Sequence, residues 1–322
     1  MVKAQSGFFW VETESNVIVC QLRGKLKQGR AKGDIAAIGD RVAITILDDG
    51  SGTIDSVHER TQQIARLDPR PGGVYQQVLL ANPNQALFVF ACANPTPRLR
   101  MLDRFLVIAE KQNIPVVIVA NKTDAVDDPQ TIFGMYESIG YRVIYTSAKT
   151  GAGLEELRSH LQNKLSAFAG PSGVGKSSLL NALQPGLGLA INEISSAMKK
   201  GRHTTVTRQL FPLNGGGYVA DTPGWKSLGL WDTEPEEIDA YFPELRGLVA
   251  HCQFSDCTHQ HEPGCAVLAA LKEGRIHKER YESFVRLRSG ESNELQDTSY
   301  ELRDTSYELR FAFYVLLLTL DT

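Results

Sequence analysis

The chain has 322 residues, room for two or three domains. Apolar residues make up 42% and charged residues 22%, which excludes a wholly disordered or fibrous chain. Lys and Arg number 34 against 37 Asp and Glu, a net charge of −3, so bulk charge cannot coat nucleic acid and any such contact needs a local basic patch. The 5 Cys are odd in number, and three crowd into residues 252–265. That fits a metal site in a reducing compartment better than a disulfide framework. The N-terminal MVKAQSGFFWVETE lacks a signal-peptide core, and the run Phe311–Leu318 is far short of the ~20 residues of a membrane span. A cytoplasmic protein with no membrane partner is expected.

Residues 1–72 predict a small β-domain. Phe8–Val11, Val17–Leu22, Arg41–Ile46 and Gly52–Ile54 are short β-branched or aromatic runs punctuated by Gly, Asp and Asn. About five such strands suggest a closed barrel, of which an OB-fold is one form. Arg23–Lys32 carries five positive charges and no negative one; on a barrel loop it suits a phosphate backbone, or it is a solvated hairpin. From residue 73 to about 230 the pattern alternates. Ala86–Ala91 and Pro115–Ala120 are continuous apolar runs, as in a parallel sheet covered on both faces. Between them Leu102, Phe105, Leu106 and Ala109 mark a helix over Leu99–Gln112. A strand over Tyr141–Tyr145 and a helix over Leu154–Leu165 follow, giving a doubly wound α/β domain. Residues 231–288 predict a mostly helical unit around a Cys/His knot. In the tail, 289–322, DTSYELR occurs twice in tandem, at Asp297–Arg303 and Asp304–Arg310. Two copies are too few for a solenoid or coiled coil, and no catalytic role is assigned to them.

The strongest motif is Gly170-Pro171-Ser172-Gly173-Val174-Gly175-Lys176-Ser177-Ser178, a full G-x-x-x-x-G-K-S between an apolar strand (Leu165–Ala169) and a helical stretch. Its glycines let backbone N–H groups wrap phosphates, Lys176 reaches the β- and γ-phosphates, and Ser177 ligates Mg²⁺. Asp221-Thr-Pro-Gly224 follows the strand Tyr218–Ala220. An Asp there can hold Mg²⁺ through water, and the Gly224 N–H can face a γ-phosphate. Asn121-Lys122-Thr-Asp124 follows Pro115–Ala120. The Asp124 carboxylate can accept both N–H groups of the guanine N1/N2 edge, which adenine does not offer. Asn121 can tie the loop or sense O6, and Lys122 can lie over the base. Ser147-Ala148-Lys149 can bring the Ala148 N–H to O6. The set argues for GTP over ATP.

The order is unusual. A Ras-like domain presents P-loop, switch threonine, D-x-x-G, N-K-x-D and then S-A-K; here the last two come first. Joining the old ends and opening the chain elsewhere yields the same sheet, and the chain then leaves the domain straight after Gly224. Lys199–Thr207 is polar and Gly-containing, the natural place for a switch threonine. Thr205 is the choice to complete Mg²⁺ coordination, with Thr204 and Thr207 open. His203 can position water or contact phosphate. Trp225 stands where a Gln orients water in Ras-type domains, so intrinsic hydrolysis should be slow and a partner should complete the site. Cys252, Cys257, His259 and Cys265 form a Cys₃His set for one structural Zn²⁺. Cys20 and Cys92 sit in apolar strands and are expected in the core.

Taken together, these residues resemble the circularly permuted GTPases of the RsgA (YjeQ) type, over about residues 1–288. The family's G-R-H-T-T-T appears as Gly201-Arg-His-Thr-Thr-Val206, and the hydrophobic Trp225 fits the family. The resemblance implies a GTP hydrolase stimulated by the small ribosomal subunit, acting late in that subunit's maturation and binding ribosomal RNA through flanking domains. The expected fold is a permuted α/β P-loop GTPase domain with an N-terminal OB-like barrel and a C-terminal helical zinc domain. The expected protein is a monomer using GTP/GDP, Mg²⁺ and Zn²⁺. A nucleotide-gated RNA-binding module with incidental hydrolysis is the alternative.

Overall fold

The computed structural model describes residues 1–27, 34–67, 76–188, 208–221 and 233–290. Strands β1 (Lys3–Gln5), β2 (Phe8–Glu12), β3 (Val17–Leu22), β4 (Val42–Ile46) and β5 (Gly52–Val57) come first. They alternate as half-buried strands do: Phe9 and Val11 of β2 and Ile18 and Cys20 of β3 point inward onto Ile54. Their order is 1-2-3-5-4 with β3 and β5 parallel, the strand order of a five-stranded Greek-key barrel of the OB kind. The rim closes where Gly39 N–H donates to Met1 O at 2.9 Å and the Met1 amino group donates to Asp40 O at 2.8 Å. Asp40 is held in turn by Arg60 through two 2.8 Å bonds. Gly52 is required opposite Cys20, because a Cβ there would stand 2.7 Å from its Sγ. Of the basic segment, Gly24–Lys27 forms a 3₁₀ turn and Arg23 pairs with Asp55 at 2.9 Å; residues 28–32 lie outside the described residues.

A hairpin of β6 (Gln63–Leu67) and β7 (Gln76–Ala81) leads into β8 (Gln85–Ala91), α1 (Leu99–Lys111), β9 (Val116–Asn121), α2 (Gln130–Ile139), β10 (Arg142–Thr146), α3 (Leu154–Leu161), β11 (Leu165–Ala169), α4 (Lys176–Leu183), β12 (Arg208–Pro212) and β13 (Tyr218–Asp221). The sheet runs β10-β9-β8-β11-β13-β12, parallel except for β12. Chain order is thus split about the β8–β11 junction: three earlier strands form one half and three later strands the other. Leu102, Phe105, Phe133 and Tyr136 of α1 and α2 cover one face, and Leu157, Leu161, Leu179 and Leu180 of α3 and α4 cover the other. All seven residues of β8 are buried between them, which explains its uninterrupted apolar run. The helix expected to reach Leu165 stops at Leu161, since Asn163 turns to φ +57° and β11 begins at Leu165.

The barrel is not a separate bead. β1 pairs antiparallel with β12, Lys3 opposite Gln209 and Ala4 opposite Arg208, so one continuous ladder joins both sheets. The C-terminal unit holds α5 (Pro243–Arg246), α6 (Ala266–Lys272) and α7 (Lys278–Arg288), with 3₁₀ turns at Pro235–Tyr241 and Val249–His251. It docks on α1: Val107 joins its apolar cluster with Phe242, Leu245 and Phe284. The fully buried Arg280 donates to Asp103 at 2.7 Å and to Glu244 at 2.7 and 3.2 Å, and lies 4.5 Å over the Phe242 ring. Asp103 also accepts the hydroxyls of Ser283 and, at 2.9 Å, Tyr136, so one carboxylate joins α1, α2 and α7.

Candidate nucleotide site and metal centre

Strand register gathers the motifs on one edge. Asn121 ends β9 opposite Ala91 of β8 and Thr146 of β10, while Phe168 of β11 lies opposite Asp221, which ends β13. These are the carboxyl ends of parallel strands, the edge where open α/β sheets bind ligands.

The P-loop begins where β11 stops. Gly170 takes φ +156°, and a Cβ there would lie 2.1 Å from Val89 O. Gly175, at φ +93°, caps α4; a Cβ on it would meet Asn121 Nδ2 at 2.5 Å. Pro171 and Val174 are buried and Ser172, Gly173 and Ser178 exposed, so the loop is anchored from below and open above. Lys176 Nζ donates to the carbonyls of Gly170 and Pro171, both at 2.8 Å, which places the ammonium inside the loop's curve. Ser177 lies in the first turn of α4, where backbone N–H groups and the helix dipole favour an anion.

Asn121 joins three motifs. Its Nδ2 donates to Val174 O in the P-loop at 2.9 Å, and its Oδ1 accepts from Thr146 Oγ1 at 3.2 Å and from Ala148 N–H at 3.3 Å. The side chain is 1% exposed and all three bonds are internal, so its part is to tie the loops. Lys122, at φ +63°, reaches back to Gly173 O at 2.8 Å and to Asn94 O. Its stem thereby lies between the Asn121–Asp124 loop and the P-loop. Asp124 Oδ1 accepts the Ser147 hydroxyl at 2.6 Å, and Oδ2 lies 3.7 Å from the exposed Lys149 ammonium. The Ser147 bond, with less from Lys149, holds the Asp124 carboxyl below its ordinary value, so it remains an anion and an acceptor.

The geometry brings together Asn121, Lys122, Asp124, Ser147, Ala148, Lys149 and the P-loop Gly170–Ser178. Asp221 has its backbone beside them. Thr204, Thr205, Thr207, His203, Gly224 and Trp225 lie outside the described residues, as does the repeat tail. Sequence reasoning missed Asn94 and Thr146; Asn94 acts through its carbonyl, which leaves no side-chain signature. Cys20 and Cys92 are buried as expected, and desolvation, with less from Asp124, pushes the Cys92 thiol up to about 11, leaving it protonated and inert.

The second centre lies in the C-terminal unit. The Sγ atoms of Cys252, Cys257 and Cys265 and a ring nitrogen of His259 lie within 4.8 Å of one another. His259 Nδ1 is 3.5 Å from both Cys252 and Cys265 Sγ, and those sulfurs are 3.9 Å apart. A tetrahedral zinc ion with ordinary Zn–S and Zn–N bonds spaces its ligands at roughly 3.8 Å for S···S and roughly 3.6 Å for S···N. The four side chains are therefore compatible with zinc.

The model of the RsgA GTPase family matches residues 57–231, and that of the RsgA N-terminal domain matches residues 1–54. A relative from Gemmatimonas aurantiaca, named small ribosomal subunit biogenesis GTPase RsgA, is 45% identical over 294 residues, 89% of this chain and 95% of the relative. One of the same name from Moorella thermoacetica is 43% identical, over 88% of this chain and 94% of its own. Among solved structures, YjeQ from Thermotoga maritima superposes with a TM-score of 0.74 at 38% identity, covering 91% of this chain and 97% of its own. YloQ, described as a circularly permuted GTPase, gives 0.69 at 33% identity over 90% and 92%. With the split chain order of the sheet and the P-loop, Asn121–Asp124 and Ser147–Lys149 gathered on one edge, these likenesses settle the matter: the chain belongs to the RsgA GTPase family and is a circularly permuted, GTP-hydrolysing enzyme.

Proposed function

We propose that the chain hydrolyses GTP to GDP and phosphate during late maturation of the small ribosomal subunit, as the names of its relatives suggest, and that the subunit stimulates turnover. The observation that carries this reading is the Asn121 side chain, which binds the P-loop to the loops that read the base. Asp124 takes the guanine N1/N2 edge, the Ala148 N–H faces O6 and Lys122 lies along the base. Lys176 and the Gly170–Gly175 backbone hold the phosphates. Ser177, Thr205 and, through water, Asp221 are the residues that would hold Mg²⁺, whose charge offsets that of the β- and γ-phosphates. The Gly224 N–H meets the γ-phosphate, and His203 contacts phosphate or orients water.

Trp225 offers no acceptor for the attacking water, so a partner must complete the site. The barrel (residues 1–72) and the zinc unit (231–288), flanking the nucleotide domain (73–230), grip ribosomal RNA; no catalytic role is assigned to residues 289–322. One zinc ion closes the Cys252–Cys257–His259–Cys265 knot in a structural role. The protein works as a cytoplasmic monomer.

The test is GTP turnover with and without purified small subunits. Stimulation should approach the ~10³–10⁵-fold range that a trans-acting catalytic group supplies in related systems. Equal turnover in the two conditions refutes subunit stimulation.

A further inference from the structure

The zinc histidine is gripped from behind. His259 presents Nδ1 to the sulfurs of Cys252 and Cys265, while its Nε2 lies 3.2 Å from Asp239 Oδ2. The ring is fully buried and the carboxylate nearly so, at 0% and 13% side-chain exposure. An ionised carboxylate only accepts hydrogen bonds. Nε2 therefore carries the hydrogen, and the lone pair of the neutral ring sits on Nδ1, aimed into the knot. Other contacts shape the backbone without touching that ring edge. His259 is held at φ +62°, and its carbonyl accepts from Tyr281 OH at 2.7 Å. Glu262 gathers the N–H groups of Thr258, Gln260 and His261 at 2.7, 3.1 and 3.2 Å.

We propose that Asp239 is the positioning residue of this metal centre: it fixes the His259 tautomer and ring plane so that Nδ1 is the zinc ligand. Carboxylates behind metal-bound imidazoles act in this way, and losing one typically weakens metal binding 10–100-fold. Asp239 lies in the 3₁₀ turn Pro235–Tyr241, a short way beyond Asp221, which ends β13. The knot thus holds, through Asp239, the turn by which the chain passes over α1 after leaving the nucleotide domain.

The inference rests on zinc occupancy, proposed above, and the two fail differently. A full-length wild-type chain that takes up no zinc refutes occupancy. The positioning role is read from zinc transfer to a competing chromophoric chelator, and from the ¹⁵N shifts of the His259 ring in the zinc-loaded protein. Asp239→Ala should release zinc to the chelator at 10–100-fold lower competitor strength, and Asp239→Asn, which keeps an acceptor oxygen, should recover most of that loss. Glu262→Gln should leave the ring tautomer unchanged. Zinc affinity of Asp239→Ala within twofold of wild type overturns the proposal. The ring spectrum of the zinc-loaded wild type needs no variant: an Nε2–H, Nδ1-ligated ring supports the role of Asp239, and an Nδ1–H ring refutes it even should Asp239→Ala fail to fold.

Discussion

Replacing Asp124 with Asn tests the base-reading assignment at its most exposed point. One lone pair of Oδ1 is taken by the Ser147 hydroxyl at 2.6 Å, and Oδ2 is only loosely approached by Lys149 at 3.7 Å. A carboxylate accepts at about four positions, which leaves room for the guanine N1–H and 2-amino groups together. Hydrogen bonds to a charged group are worth about 1.5–3 kcal/mol each. Asn keeps the shape, removes the charge and turns one acceptor into a donor. One bond is lost and the other weakened, for about 3 kcal/mol, or on the order of 10²-fold in GDP affinity. Adenine never uses this carboxylate, so ADP affinity should stay level and the GDP-to-ADP ratio should fall by the same factor. Xanthine carries a carbonyl where guanine has its amino group, so XDP should gain from the new donor. Calorimetric titration with the three diphosphates measures all of this, and an unchanged GDP-to-ADP ratio in a folded variant refutes the assignment. The pH dependence has a definite sign. The carboxyl is held low, chiefly by Ser147, so guanine binding persists until pH falls through that depressed value. Ser147→Ala should move this acid edge upward.

Three further outcomes are expected. Asn121→Ala removes three internal bonds at about 1 kcal/mol each; urea denaturation should show a loss of about 3 kcal/mol and GDP should restore less stability than in wild type, while a loss under about 1 kcal/mol would rule out a tie between loops. Asp103→Ala takes from the buried Arg280 one of its two carboxylate partners, leaving Glu244, and removes the acceptor of the Ser283 and Tyr136 hydroxyls; at about 1–3 kcal/mol for each buried group left without its partner it should destabilise the docked unit, read as loss of hydrogen-exchange protection in α7 before α2, and unchanged protection refutes this. Zinc chelation should lower the melting temperature of the C-terminal unit while GDP affinity survives, and no change in melting would mean the four ligands hold no ion.

The elements legible in the sequence were those whose neighbours in space are neighbours in pattern. β8 and β9 declare themselves because strands covered on both faces must be apolar throughout, and the P-loop because strand, glycines and helix are contiguous. The Cys₃His set was equally plain, since its members fall within fourteen residues. Long-range pairings left no local mark. Nothing in Lys3–Gln5 signals β12 as its partner, because pairing is made by backbone groups common to every residue. Arg280 looks like one more cation in a strongly polar helix, yet it is fully buried; its burial depends on Asp103 and Glu244, far away in the chain. Asp239 stayed hidden for the same reason, as one acid in a run of acids.

The antiparallel ladder between β1 and β12 has a practical consequence for dissecting this protein. Separating the barrel from the nucleotide domain, by a cut between β5 and β6, leaves each fragment with a bare strand margin, one on β1 and one on β12. Such margins recruit whatever backbone is at hand. Fragments made for biophysics are then prone to stick to their own copies, and a mixture of the two should be better behaved than either alone.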